Sequence, residues 1–357
     1  MSTRTAKIRR FAAGVLVAAL SMSVAACGKS GGAAQPAGDG PKALTAAVPY
    51  PGPEANLPTR YPDPVRTGAP VDVGIACAAC QVPGVALAAD QARKTIEDLG
   101  GKVTLLDAGG DPQKQLNQFK QLVAQHVQAI IVQPLVETAM APAFLDAKAA
   151  GIAVITIGSP GDTTRPLLPG VVSDVTFGLD RAAFEKAQHL AMNLPKGAEI
   201  GVLGYGVPSD SVKYGVDRTA YWAEQFGLKI AQRADVSELT VNAGQVAGTG
   251  MLQRNPDIQA VVSFTDAVTS GVLVAARQLN RRQVFVCAND YDKNGYQAVS
   301  TKNGSCSVRW DWEDLGRFAA QAAYFAGTAQ GTLPRIVTTG GGTLVTKDNY
   351  ESVPVVG

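Results

Sequence analysis

Histidine is nearly absent. The 357 residues hold two, His126 and His189, both at positions predicted to be helical. Without a His cluster the chain lacks the usual donor set of a zinc site, and no Ser-His-Asp arrangement is suggested. A basic stripe is missing as well. Lys and Arg number 32 against 30 Asp and Glu, a formal net charge of +2. They are scattered without interleaved aromatics, which argues against a nucleic-acid partner. No comfortable membrane span is present either. The apolar run Phe11 to Leu20 continues only loosely to Ala26, short of the roughly 20 residues a bilayer requires. Cysteine is scarce, with five in all.

What is there begins with an export signal. Arg4, Lys7, Arg9 and Arg10 precede that short apolar run, the layout of a secretory leader. Val24-Ala25-Ala26-Cys27-Gly28 resembles the bacterial lipobox, in which the Cys becomes the lipidated N-terminus. Residues 1–26 are therefore expected to be a lipoprotein signal peptide, with Cys27 the lipidation site. Residues 27–70 are expected to be a tether. Gly28 to Gly40 is rich in Gly, Ala and Ser, the composition of a flexible linker. Pro41, Pro49, Pro51, Pro53, Pro58, Pro62, Pro64 and Pro70 then predict an extended segment that either wraps the fold or acts as a spacer. With Cys27 set aside, Cys77, Cys80, Cys287 and Cys306 form an even set, which in an exported chain favours disulfides. Cys287 and Cys306 fall near predicted strand ends and are candidates to pair across neighbouring strands, leaving Cys77 and Cys80 for a local bridge. The sequence leaves the other pairings open.

The folded part is organised around residues 127–160. Val127–Val132 is a short β-branched run closed by Gln133-Pro134. Glu137–Ala150 carries apolar residues at helical spacing, and Ile152–Ile157 is a second apolar run closed by Gly158. Strand, amphipathic helix, strand is a βαβ unit. Runs apolar on both faces imply a parallel sheet covered on both sides, and ligands in such sheets sit at the carboxyl ends of strands. The same alternation starts at Val71 and restarts at Glu199, giving two α/β halves of similar size, about two domains for this length.

Several blocks carry a resemblance. Asp111-Pro112-Gln113-Lys114-Gln115 leads to Val132-Gln133-Pro134. Ala153-Val154-Ile155-Thr156, Val172-Ser173-Asp174 and Asn255-Pro256-Asp257-Ile258-Gln259-Ala260-Val261 follow, with Thr265-Asp266 and Asn289-Asp290 at later strand ends. In this order the chain, over about residues 71–345, resembles the type I periplasmic binding proteins, in particular the ribose/galactose-type sugar-binding proteins of ABC importers. The resemblance implies an α/β fold of two Rossmann-like lobes with parallel sheets joined by a three-crossover hinge. The lobes are expected at 71–173 plus 312–335 and at 174–311 plus 336–357. It also implies a cleft that closes on a solute. Carried over position by position, it points to Gln81 in the loop after the first strand, Gln133, Ser159, Lys213, Asp266, Asp290 and Trp310. Trp310 is favoured over Trp312 as the residue facing the cleft, because side chains alternate along a strand. The charged pair that grips sugar hydroxyls in the family is Gly158-Ser159 here, and the loop after the first strand holds no aromatic.

The function so implied is a lipid-anchored solute-binding protein that delivers a sugar, polyol or related small polar solute to ABC permease subunits. It is expected to be a monomer without enzymatic activity or cofactor, on the outer face of the bacterial cytoplasmic membrane or in the periplasm. A ligand-sensing lipoprotein serving a membrane signalling receptor is the alternative. A redox lipoprotein is the weaker one: Cys77-Ala78-Ala79-Cys80 sits between a predicted strand and helix, where a helix N-terminus lowers a thiol pKa. A static disulfide shaping that loop is preferred.

Overall fold

A computed structural model describes residues 42–68, 71–206 and 209–357. The leader, Cys27 and the Gly-rich tether lie outside the described residues. Among the described residues no helix is long and apolar enough to cross a membrane.

The first lobe is built from β1 (Asp72–Cys77), α1 (Pro83–Asp98), β2 (Lys102–Asp107), α2 (Pro112–Ala124), β3 (Ala129–Val132), α3 (Glu137–Ala149), β4 (Ala153–Ile157) and β5 (Val171–Thr176). The chain then passes into α4 (Leu179–Asn193), β6 (Glu199–Tyr205), α5 (Asp210–Gln225), β7 (Lys229–Val236), α6 (Val241–Arg254), β8 (Ile258–Ser263), α7 (Asp266–Gln278), β9 (Phe285–Asn289), α8 (Lys293–Thr301) and β10 (Cys306–Arg309). α9 (Trp312–Gly327) returns to pack on α1 and on β3 to β5. β11 (Ile336–Thr338) joins the first sheet and β12 (Thr343–Val345) the second. The chain therefore crosses between lobes three times, after β5, after β10 and after β11.

The sheets run β11-β5-β4-β3-β1-β2 and β12-β10-β9-β8-β6-β7. Every pairing is parallel except β10 with β12. The reason is visible in β3, all four of whose residues are buried. Ala129 and Ile131 enter the cluster under α1 and α9, while Ile130 and Val132 enter the one under α2 and α3. Such two-sided burial is what a parallel sheet between helical layers demands. Local signals set the helix ends. Asp111 accepts from the backbone N–H of Gln113 and Lys114 at the start of α2, with Pro112 in the first turn. Gly151, at φ 75°, takes the left-handed conformation just past α3.

Two boundaries differ from those expected. β5 runs on through Thr176, so residues 174–176 stay in the first sheet. β11 pairs with β5, so residues 336–338 belong to the first lobe and not the second. The cause is burial of polar residues: Ser173, Asp174 and Thr176 are buried, with Ser173 bonded to Tyr61 and the Pro334 carbonyl, Asp174 to Thr156 and Ser159, and Thr176 to the Ser159 carbonyl.

Both cysteine pairs are bonded, Cys77 to Cys80 and Cys287 to Cys306. The second joins register partners on adjacent strands, since Cys306 stands directly opposite Cys287.

Candidate functional site

The expected residues lie at the carboxyl ends of strands, or at the start of the helices that follow, but they do not form one cluster. In the first lobe Gln81 is exposed in the turn before α1. Gln133, after β3, is half-buried, and its backbone oxygen accepts from Gln115 Nε2 at 2.7 Å. Its amide lies over Gly158, where an added Cβ would come within 3.0 Å of Nε2; Gly158 sits at φ 65°. The absence of a side chain at residue 158 is thus what lets Gln133 occupy that end of the sheet. Ser159 Oγ donates to Asp174 Oδ2, and Thr156 Oγ1 donates to Asp174 Oδ1 at 2.6 Å. Burial raises the Asp174 carboxyl to about 6 against these two bonds. Ser159, Thr156 and Asp174 line a cavity of about 50 Å³ together with Glu137, Asp162 and Arg165. Glu137 is raised to about 7, first by burial and then by Asp210 at the start of α5, with Arg165 opposing at 3.7 Å. That Asp210 acts on Glu137 brings the second lobe within electrostatic reach of the first.

In the second lobe Lys213 lies on α5 with its side chain 78 % exposed, paired with Asp217 one turn on. Asp266 is buried, and its Oδ2 accepts from the Tyr291 backbone N–H at 2.8 Å and from Ser307 Oγ at 2.7 Å. Burial and the neighbouring Asp290 push its carboxyl well above the usual range. Asp290 follows β9 at φ 100°, with its N–H donating to Val308 O at 2.8 Å. Its carboxyl is raised to about 7 by desolvation and then by Asp292, against Lys186. Lys186 is buried on α4, and its Nζ donates to Asn289 Oδ1 at 2.8 Å. Burial lowers it to about 8, opposed by Asp266 and Asp290.

Trp310 follows β10 at the second crossing and is 2 % exposed. Its ring lies 5.0 Å from Phe177, which follows β5 at the first crossing, and Trp312 stands edge-on to Phe177 at 4.7 Å. Trp312 also lies against Gly84, where any Cβ would overlap the indole. An aromatic triad therefore stands where two crossings meet. The hydroxyl-gripping chemistry available is a carboxylate with a buried ammonium behind it in one lobe and hydroxyl–carboxyl pairs in the other. Indole and phenyl faces lie between them.

The structure joins Asp266 and Asp290 to one polar network, Trp310 to the triad, and Ser159 to Asp174. Gln81 and Lys213 are left at the surface. Lys186, Asp174 and Phe177 are the residues that sequence reasoning passed over. Lys186 had a readable signal: Leu179, Ala182, Ala183, Ala187 and Leu190 form the buried stripe of α4, and residue 186 falls on that stripe. Among the described residues two clusters have cation-binding composition, Cys77/Cys80/Asp107 and His189/Cys287/Cys306. In both, the sulfurs are bonded to each other and are not thiolate ligands.

Residues 75–330 match the sequence profile of the periplasmic binding protein domain family. Among characterised relatives, the ribose import binding protein of Bacillus subtilis is 28% identical over 232 residues, 64% of this chain and 73% of that protein. The ribose import binding protein of Escherichia coli is 26% identical over 236 residues, 66% of this chain and 77% of that one. Of solved structures, a glucose-galactose binding protein from Geobacillus stearothermophilus superposes with a TM-score of 0.71 at 16% identity, covering 80% of this chain and 100% of that chain. An Agrobacterium vitis ABC-transporter solute binding protein with bound allitol superposes with a TM-score of 0.69 at 22% identity, covering 79% and 97%. At these identities the superpositions speak to the fold.

Proposed function

The chain belongs to the periplasmic binding protein domain family, and we propose that it is an extracytoplasmic solute-binding protein delivering a small sugar or polyol to an ABC importer. Hinge closure of the two lobes around the solute would create the form that the permease recognises. The Cys27 lipobox would hold the protein at the outer face of the membrane. The observation that carries this reading is the Asp290 carboxyl at the end of β9, with the Trp310 indole one strand away at the end of β10. This is an acceptor for hydroxyls beside an apolar ring face, in the fold used by relatives named for ribose import.

A thermal-shift screen over sugars, polyols, nucleosides and small acids tests it. A bound solute raises the melting temperature in proportion to the logarithm of its concentration above Kd. A sugar or polyol is expected to do so, and Asp290→Ala and Trp310→Ala are each expected to abolish the response. Stabilisation by a nucleoside or acid alone would overturn the solute class. A sugar response unchanged in both variants would overturn the site.

A further inference from the structure

The Pro-rich segment 42–68 precedes the matched family domain, which begins at residue 75, yet it is anchored at a series of points from Lys42 to Thr67. It contains one short 3-10 turn, Pro53–Asn56. It first runs antiparallel to α4, from that helix's C-terminus to its N-terminus. Lys42 pairs with Pro195, and its Nζ donates to Asn193 O at 2.8 Å. The N–H groups of Ala43 and Leu44 donate to Leu194 O and Ala191 O at 2.9 and 3.0 Å. These carbonyls belong to the last turn of α4 or lie just beyond it, where a helix leaves acceptors unpaired. Val48 N–H donates to Gln188 Oε1 at 2.6 Å and Tyr50 OH to Asp180 Oδ2 at 2.7 Å. At the other end of the helix the buried Glu54 accepts from the N–H groups of Asp180 and Arg181 at 3.2 and 2.9 Å. α4 has glycine at its N-cap and no side-chain cap of its own. Glu54 supplies the missing one from outside the helix.

The segment then leaves the second lobe. Pro58 O accepts from Thr338 N–H of β11 at 2.9 Å. Tyr61, 2 % exposed, pairs with Ser173 Oγ of β5 at 2.7 Å. Gln330, beyond α9, accepts from Val65 N–H and donates to Val65 O, both at 2.7 Å. Thr67 N–H donates to Tyr324 OH on α9 at 2.9 Å. One covalent segment is therefore anchored on both lobes, on either side of the first and third crossings. Between the two anchorages lie Ala55, Asn56 and Leu57, a span of about 14 Å at full extension.

We infer that residues 42–68 form a tie across the hinge that restricts how far the two lobes can separate. A rotation about the crossings moves the Glu54 anchor relative to the Pro58 anchor. The short span takes up little of that movement before a helix cap or a strand-edge bond must break. The inference rests on the hinged reading of the family fold for its meaning, but it is measured without solute.

The test lengthens the tie while keeping every anchor. Ten Gly/Ser residues inserted between Leu57 and Pro58 add slack of about 17 Å r.m.s.. Spin labels on the exposed Leu145 of the first lobe and Val246 of the second, introduced as Leu145→Cys and Val246→Cys in the full chain carrying Cys27→Ser, report the inter-lobe distance. The lengthened chain is expected to show a distribution shifted to longer distances and broadened relative to the unaltered tie. Glu54→Ala, which releases the anchor nearest the hinge without an insertion, is expected to shift it in the same direction. If either variant melts cooperatively with distances unchanged, the segment is surface packing and the tie is refuted. A solute screen that fails would leave this result standing, and a tie that fails would leave the solute reading standing.

Discussion

Replacing Glu54 by glutamine isolates what it costs to bury a carboxyl as the cap of α4. Glu54 is 4 % exposed, and burial raises its carboxyl from 4.5 to about 7. The two backbone N–H bonds and Arg218 lower it and Asp180 adds to the rise, but the loss of water around the buried carboxyl outweighs the lowering. The sign follows from which state holds the proton. Below about pH 4.5 both folded and unfolded chains are protonated and Glu54 contributes no pH dependence. Between 4.5 and 7 the folded chain keeps a proton that the unfolded chain has lost, so stability falls as pH rises. Above 7 both are ionised and the slope ends. A shift of this size corresponds to about 3 kcal/mol at 1.36 kcal/mol per unit. Glutamine keeps the shape and an acceptor for one of the two N–H groups but cannot ionise. The difference in unfolding free energy, wild type minus Glu54→Gln, should therefore fall by about 3 kcal/mol from pH 4.5 to 8. Urea unfolding at half-unit pH steps measures it. A difference that stays flat across that range would show that the two N–H bonds and Arg218 hold the carboxylate ionised, and the reasoning would fail.

Two further outcomes are expected. Removing the inter-strand disulfide by Cys287→Ser with Cys306→Ser reopens a loop of sequence separation 19 and should lower stability by about 3 kcal/mol. Calorimetry of the variant, compared with wild type with and without reductant, checks it. Gly84→Ala drives a methyl into the Trp312 indole at the start of α9 and should destabilise by about 1–3 kcal/mol through overpacking. An unchanged melting temperature would mean that the α1–α9 contact is loose.

The strands that were legible are those whose apolar residues face both ways. β3 and β4 are buried throughout, and the run of Ala, Val and Ile announces them. In β5 only Val171 and Val172 make an apolar run, because Ser173, Asp174 and Thr176 break the pattern. They are nonetheless buried, and the partners that permit it include Tyr61, Thr156, Ser159 and the Pro334 carbonyl. Two of these partners, Tyr61 and Pro334, lie more than a hundred positions from Ser173, and no local pattern encodes a bond at that distance. The same limit applies to the Pro-rich segment. Its prolines announced an extended chain, but its docking depends on the ends of α4 and on Gln330. The even set of four cysteines favours two bridges, but the pairing stays open until the register sets Cys306 opposite Cys287. The polar floor of the second lobe was half legible. Asp266 and Asp290 stand at strand ends, whereas Lys186 is marked only by its place on the buried stripe of α4.

That floor also shows how one acid positions another. Asp290 and Tyr291 both adopt positive φ, 100° and 51°, a conformation that costs a non-glycine residue energy and persists only when neighbours enforce it. Asp266 is the neighbour. One of its oxygens, Oδ2, accepts both the Tyr291 N–H and the Ser307 hydroxyl. Its carboxyl is raised well above the ordinary range by burial and by Asp290, so its hydrogen-bonding shape matters more than its charge. Gly295 leaves room for the carboxyl, since a Cβ there would overlap it. Asparagine offers one oxygen in the same place and can accept both bonds, so Asp266→Asn should stay within about 1 kcal/mol of wild type. Alanine leaves the buried Ser307 hydroxyl short of an acceptor and the Tyr291 N–H with only its longer bond to Ser307 Oγ, at 3.1 Å, and should cost about 1–3 kcal/mol. It should also weaken solute binding, because the turn that aims Asp290 then keeps only its bonds to Val308 O and Ser307 Oγ. Urea melts of the two variants, paired with the thermal-shift response to the bound solute, separate the cases. If Asp266→Asn falls as far as Asp266→Ala, the buried charge is itself required, and the role assigned to Asp266 as a neutral brace is wrong.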